Sequence, residues 1–382
     1  MQLNFAASMA RLGPFGAAPR LAVAVSGGAD STALALLAHH WAMGQGGSLV
    51  ALIVDHGLRP NSLAQAVLTQ SRLAARAIPA RLLRLTGLPQ GAKLQEAART
   101  ARYEALMAAC RAETCLFLLL GHHAGDQSET VTMRARRGPH GLEGMAGWTA
   151  RNDTVLLRPL LGTKPELLRA FLAAQHMEWV EDPSNSNEKF ERVRVRKAGT
   201  QMPAADSSQR QNDEHAAAEF IARHVVLRPE GFAVVQAHSM PAAALAALLR
   251  VVAGAVYPPA QASVRVLAAN LAPATLGGVR IARTAKLGGG WLLAREPAAC
   301  APAIAALPYA LWDHRFRLNA PAAGQSFGAL GDDAADFRKS SALPALVLRG
   351  MPCLRHEGVV SSFPAPCQFT PPYPATSHPF FS

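Results

Sequence analysis

Chemistry is suggested first by VAVSGGADSTALALL, Val23 to Leu37. A short apolar run, the pattern of a buried strand, leaves through Ser26, Gly27 and Gly28 and restarts at once as a helix. Such a turn leaves backbone N–H groups unpaired at the helix N-terminus. Together with the helix dipole they form an anion site, and glycine lets a phosphate approach the backbone closely. Asp30 and Ser31 have a second reading as helix caps. The loop lacks the lysine of G-x-x-x-x-G-K-[ST] and does not match G-x-G-x-x-G. A phosphate loop with an aspartate and no lysine suits a nucleotide whose pyrophosphate is held and then released.

The second group is GHHAGDQSETVTMR, Gly121 to Arg134. Asp126, Glu129 and Thr130 fall at i, i+3, i+4 on one face of a helix start. Carboxylates there can hold Mg²⁺ on nucleotide oxygens or bind an ammonium group; the alternative is acidic charge complementing the helix dipole. His122 and His123 are neighbours, so on a strand they point to opposite faces. One faces the site, taken as His122, and the pair does not make a His–His–Asp zinc site. Basic residues form the third group. Arg102 can neutralise phosphate, whereas Arg99 has a plain i,i+3 surface pairing with Glu96. Arg192, Arg194 and Arg196 in FERVRVRK either clamp phosphates or form a solvated basic face. Asp55, ending the run LVALIVD, either orients a nucleotide group or shapes a turn.

The elements that must position these residues alternate. Apolar runs at Leu21–Val25, Leu49–Asp55, Arg81–Leu85 and Cys115–Gly121 read as strands. Helices are expected after Gly28, where Leu34, Leu37, Ala38 and Trp41 share a face, and over Ser62–Ile78, Lys93–Arg111 and Asp126–Arg136. This alternation predicts an α/β fold with a doubly wound, mostly parallel sheet. Such sheets bind ligands beyond the carboxyl ends of their strands, where all three groups lie. Smaller mixed C-terminal domains are expected to follow. The boundaries read 1–197 for the catalytic domain, 198–214 for a polar linker, 215–305 for a helical and mixed region, and 306–382 for a C-terminal region. Within these, Ala242–Val256 predicts a helix and Val279–Glu296 a hairpin around Gly288-Gly289-Gly290; the last twenty residues predict a proline-rich tail.

The net charge of +12 suits a polyanionic partner such as nucleic acid, although an arginine-rich genome gives the same surplus. The five cysteines form no C-x-x-C pair and read as reduced thiols, which disfavours zinc and disulfide chemistry. No window is long and apolar enough for a membrane span, and the N-terminus has no secretory pattern, so a cytoplasmic enzyme is expected.

The SGG-x-DS loop resembles the pyrophosphate loop of the N-type ATP pyrophosphatases, which adenylate an oxygen and expel pyrophosphate. VDHGLRPNS, QEAARTARYEAL, GHHAGDQSETVTMR, GLEGM, RPLL and WVEDPSN follow in that order. Together they resemble the tRNA(Ile)-lysidine synthetase family over residues 20–197. The resemblance implies a Rossmann-like catalytic domain, ATP and Mg²⁺ as cofactors, and C-terminal tRNA-binding regions. It implies adenylation of the wobble cytidine of an isoleucine tRNA with a CAU anticodon, followed by attack of free lysine. Carried onto this sequence, it assigns nucleotide contacts to Ser26, Gly27, Gly28, Ala29, Asp30, Ser31, Asp55 and His122. Catalysis falls to Asp30, Arg102, Asp126, Glu129 and Arg194, with Asp126 and Glu129 toward Mg²⁺. The chain departs from the family pattern H-H-x-D-D-Q-x-E-T at Gly125, which replaces the first aspartate. The segment from Thr130 to Gly141 is shorter than usual, and Gly121 stands where alanine or threonine is familiar, a minor change. A small-molecule ligase with the same loop stays open as a rival that the basic charge and the VDHGLRP and DPSN motifs disfavour, and Gly125 with the shortened segment motivates a second, a tRNA-binding relative without catalysis.

Overall fold

The computed structural model describes residues 1–57, 61–87, 94–136, 144–151, 153–181, 194–195 and 208–375. The chain divides into two compact units, Met1–Thr149 with Asp153–Ser208, and Ala150–Asn152 with Gln209–Ser382.

The first unit is built on six strands: β1 (Arg20–Val25), β2 (Ser48–Asp55), β3 (Ala80–Arg84), β4 (Phe117–Leu119), β5 (Trp148–Ala150) and β6 (Val155–Leu157). They lie in the order β3-β2-β1-β4-β6-β5. The pairs β2–β3, β1–β2, β1–β4 and β4–β6 are all parallel. The strand period of two sends alternate residues to two cores. Leu21, Val23, Val25, Leu49, Ala51 and Ile53 pack with helices α2 (Ala29–Gly44), α3 (Ser62–Ala74) and α6 (Pro165–Ala174). Ala22, Val50, Leu52, Leu118 and Leu156 pack with Leu106 and Cys110 of α4 (Leu94–Ala112). Helices on both faces of a parallel sheet are the doubly wound arrangement expected. A helix not read from the sequence, α1 (Gln2–Leu12), adds Phe5 and Met9 to the first core. The central helix α2 has apolar residues all round because the sheet, α1 and α6 surround it.

Several boundaries differ from expectation for local reasons. α3 stops at Ala74 rather than Ile78, because Ala77 turns left-handed (φ 56°) and Ile78 N–H bonds back to Leu73 O at 3.0 Å. The strand expected over Cys115–Gly121 shrinks to Phe117–Leu119. α5 (Ala124–Ala135) starts two residues before Asp126.

In the second unit, α7 (Ser208–His224) begins inside the segment read as a linker; residues 198–207 of that segment lie outside the described residues. A five-stranded antiparallel sheet follows, in the order β7-β8-β11-β10-β9. Its strands are β7 (Val225–Arg228), β8 (Phe232–Val235), β9 (Ala274–Leu276), β10 (Val279–Arg283) and β11 (Trp291–Arg295). The expected glycine hairpin is β10–β11, and the expected helix runs over Ala242–Ala253. Further short strands form a four-stranded and a three-stranded sheet around Trp312, Phe316 and Phe327. The expected tail is a correction, since Cys367–Phe369 is a strand paired with Phe316–Leu318 and Phe363 packs on Phe337. Residues 376–382 lie outside the described residues. The five cysteines are free thiols, and among the described residues no helix is long and apolar enough to cross a membrane.

Candidate active site

In the first unit a cavity of about 420 Å³ opens beyond the carboxyl ends of β1, β2 and β4. Its floor is apolar, from Ala24, Leu52, Val54, Leu106 and Leu120, and its rim is polar and charged.

The glycine loop enters this cavity between β1 and α2. Gly28 is the N-cap of α2 in extended conformation, with no side-chain cap, so neither Asp30 nor Ser31 caps the helix. Ser31 instead braces the loop. Its hydroxyl donates to Gly28 O (3.1 Å), accepts from Ser26 N–H (3.1 Å) and meets Ser26 Oγ at 3.1 Å. Gly27 is obligatory here: φ is +88°, and a β-carbon would stand 2.6 Å from Thr69 Oγ1. Val180 N–H bonds to Gly27 O at 2.8 Å, which brings Trp179 and Glu181 to the cavity wall.

Two histidines follow β4, and because the strand ends at Leu119 both lie in the loop rather than on a strand. Gly121 lets that loop press against α2, for a β-carbon would stand 3.1 Å from Ser31 Cα and 3.2 Å from Ser31 N. This glycine is therefore more than a minor change. His122 lines the cavity. His123, buried, caps α5: its Nδ1 accepts from Gly125 N–H (3.0 Å) and Asp126 N–H (3.4 Å). Asp126 reciprocates, its Oδ2 accepting His123 N–H at 3.0 Å. With Nδ1 an acceptor, Nε2 carries the imidazole proton, and it lies 3.4 Å from Asp30 Oδ2 and 3.6 Å from Asp126 Oδ2. Burial pushes the imidazole pKa down, but the hydrogen bond to Asp30 and the charges of Asp126 and Glu129 outweigh it, so the net direction is up.

Of the residues expected from the sequence, Ser26, Gly28, Ala29, Asp30 and Ser31 line the cavity. Arg102, His122 and Asp126 do so from the facing elements. Gly27 supports the loop from behind. Asp55 is buried and turned away, accepting Gly57 N–H at 3.0 Å. Burial alone would raise its pKa, but hydrogen bonds from Ser62 and Gly57, with Arg84 and His56 nearby, hold it low. Its turn-shaping reading is the one the geometry carries. Glu129 is buried in α5, outside the wall, and Arg194 is exposed. Arg192 and Arg196 lie outside the described residues, as does most of the shortened segment before Gly141.

The wall also holds residues to which the sequence reading gave no role there: Arg99, Tyr103, Arg169 and Glu181. Arg99 lies over the Tyr103 ring, 5.3 Å from its centre, rather than serving only as a partner of Glu96. Tyr103 and Glu181 stood in RTARYEAL and WVEDPSN, which were signals of the site without a role attached. Arg169 had no signal, because an arginine on an amphipathic helix looks like any solvated cation.

Among the described residues no three His, Cys, Asp or Glu side chains converge into a metal cage. Asp30 and Asp126 do face the cavity, and Asp30 Oδ1 is buried with no hydrogen-bond partner among the described residues. That donor set fits Mg²⁺ arriving on phosphate oxygens and taking one or two carboxylates, and does not fit an all-protein site.

Residues 1–202 match the family model for the PP-loop domain. The chain is 39% identical to a tRNA(Ile)-lysidine synthase of Hyphomonas neptunium, over 68% of this chain and 77% of that protein. It is 36% identical to one of Methylobacterium nodulans, over 72% of this chain and 81% of that protein. With one of Mesorhizobium japonicum the identity is 46%, over 46% of this chain and 41% of that protein, so the chain spans less than half of this relative. Among solved structures it is similar to a U34-tRNA thiolase from Methanococcus maripaludis, at 16% identity and a TM-score of 0.43, over 52% of this chain and 71% of that one. Identity near two in five residues across three quarters of a relative, joined to the PP-loop domain match over residues 1–202, makes this chain a member of the tRNA(Ile)-lysidine synthase family.

Proposed function

We propose that the protein is an ATP-dependent ligase that forms a carbon–nitrogen bond on an isoleucine tRNA bearing a CAU anticodon, with free lysine as the amine. One observation carries the reading. The open N-terminus of α2, three guanidinium groups (Arg99, Arg102, Arg169) and three carboxylates (Asp30, Asp126, Glu181) meet in one cavity. Cations and helix amides suit a triphosphate, and carboxylates suit a cation and an amine.

In the first step the C2 carbonyl oxygen of the wobble cytidine attacks the α-phosphorus, and the bond to pyrophosphate breaks. The amides of the Gly27–Ser31 turn hold the leaving pyrophosphate, and Arg102 with Arg99 balances its charge. Mg²⁺, when bound, supplies further charge neutralisation on the phosphates, and Asp30 and Asp126 are the residues that would hold it. In the second step the lysine amine attacks C2, the C2–O bond breaks and AMP leaves. The amine must shed protons on the way; Glu181, a cavity-lining carboxylate that accepts Trp179 Nε1–H at 2.9 Å, orients it and takes a proton. The protein's contribution is placement, charge balance and exclusion of water.

The test combines purified protein, ATP, Mg²⁺ and labelled lysine with isoleucine tRNA carrying CAU, and methionine tRNA with the same anticodon as control. Label on the isoleucine tRNA alone supports the reading. AMP release with a small-molecule acceptor would move the protein to another ligase of the same loop. Binding of tRNA with neither label nor AMP would make it a non-catalytic relative.

A further inference from the structure

We infer that His123 is a positioning residue that locks Asp30 and Asp126 at a fixed spacing on the cavity wall. The inference deepens the proposed ATP site and rests on that reading.

Helix N-caps are ordinarily Ser, Thr, Asn or Asp, whose short side chains reach the first free N–H groups and stop there. Histidine does the same with Nδ1 and keeps a second nitrogen on the other side of the ring. Here Nδ1 takes the N–H groups of Gly125 and Asp126, while Nε2 faces Asp30 Oδ2 at 3.4 Å. The same residue's backbone N–H holds Asp126 Oδ2 at 3.0 Å. One residue thus ties a carboxylate at the start of α2 to another at the start of α5. Both carboxylates line the cavity, and no other described contact joins them.

A side chain at residue 125 would press on the ring. A β-carbon there would stand 2.8 Å from His123 Cε1 and 3.1 Å from Nδ1. A side chain there would have to be met by a shift of the ring. Glycine in the first turn of a helix is otherwise a conformational cost.

The test is a set of ATP titrations by calorimetry with Mg²⁺, without tRNA or lysine, followed by steady-state kinetics. His123→Asn keeps an acceptor that can cap α5 but is too short to reach Asp30. If His123 only capped the helix, this variant would behave as wild type. The inference expects ATP affinity to fall about tenfold, the size of one lost charge-assisted hydrogen bond, with KM for tRNA and the thermal midpoint essentially unchanged. The double variant His123→Asn with Asp30→Asn should be no worse than Asp30→Asn alone, because both remove one contact. Wild-type ATP affinity in His123→Asn, or additive losses with Asp30→Asn, would overturn the inference while leaving the ATP reading intact. No ATP binding by the wild-type protein would overturn both.

Discussion

The carbonyl of Gly27 accepts the N–H of Val180 at 2.8 Å, so the phosphate loop and the segment after α6 are held as one wall. Gly27 is also the tightest point of the loop, with Thr69 Oγ1 2.6 Å from where a β-carbon would stand and φ at +88°. Gly27→Ala should therefore damage both halves of the wall. Left-handed strain of about 1–2 kcal/mol adds to the clash. ATP affinity should drop at least tenfold, on the scale where about 1.4 kcal/mol is a factor of ten. Calorimetric titration checks this, and Gly28→Ala, where no atom stands closer than 3.6 Å, should be milder.

Asp126 and Glu181 line the same cavity but should separate kinetically. Asp126→Asn should lower kcat by roughly a hundredfold, as removal of a charge-balancing group does. Glu181→Gln should act mainly on the lysine step, raising KM for lysine while pyrophosphate release in the absence of lysine persists. A pyrophosphate assay with and without lysine reads the two steps apart; equal effects of both variants on pyrophosphate release would remove the assignment.

A pH effect follows from Glu113 at the end of α4. Its carboxylate takes Arg81 at 2.6 Å and Arg20 at 3.1 Å, joining the helix to β3 and β1. Arg81 first, against the opposing effect of burial, and then Arg20 hold its pKa below the usual glutamate value of 4.5. A carboxyl with a lowered folded-state pKa adds stability that is fully present above its unfolded value. That stability is lost as pH falls through the folded value. Glu113→Gln should cost about 1 kcal/mol at neutral pH, because both arginines are largely exposed. The difference in thermal midpoint should close as pH is lowered through the acidic range.

In the second unit, Asp313 is almost fully buried between Arg295, at 2.9–3.0 Å, and Arg315, at 2.7–2.8 Å, and also accepts Ala301 N–H at 3.0 Å. Removing it leaves a fully buried Arg315 without its counter-charge. Asp313→Ala should cost about 3–5 kcal/mol, measured by denaturant unfolding. Arg317→Ala, an exposed neighbour, should change little.

What the sequence revealed and what it hid follow one physical division. Strand runs such as Leu49–Asp55 and the loop Ser26–Ser31 were legible because burial on both faces and a glycine turn leave local signatures. The end of α3 was not, since the left-handed residue closing it is Ala77 rather than glycine. His123 escaped because its role needs Asp30, far off in sequence, and because a strand expected to continue stops where Gly121 meets Ser31. Cys367–Phe369 looked like tail for a similar reason: its partner strand, Phe316–Leu318, lies some fifty residues earlier. The cavity's acidic and basic groups were thus partly named, while the contacts that aim them were written in tertiary structure alone.

The hydroxyls of Ser26 and Ser31 satisfy each other and the loop's own backbone before any ligand arrives. The order of the loop is therefore a property of the folded chain, and a triphosphate meets a template instead of inducing one. A template made of main-chain amides treats every nucleoside triphosphate alike. Under the proposed ATP reading, choice among bases falls to the cavity floor, where Ala24, Leu52, Val54 and Leu120 offer a planar ring an apolar bed. On that reading both tasks fall at the carboxyl end of one strand, β1, where Ala24 lies on the cavity floor and Ser26, two residues on, begins the glycine loop.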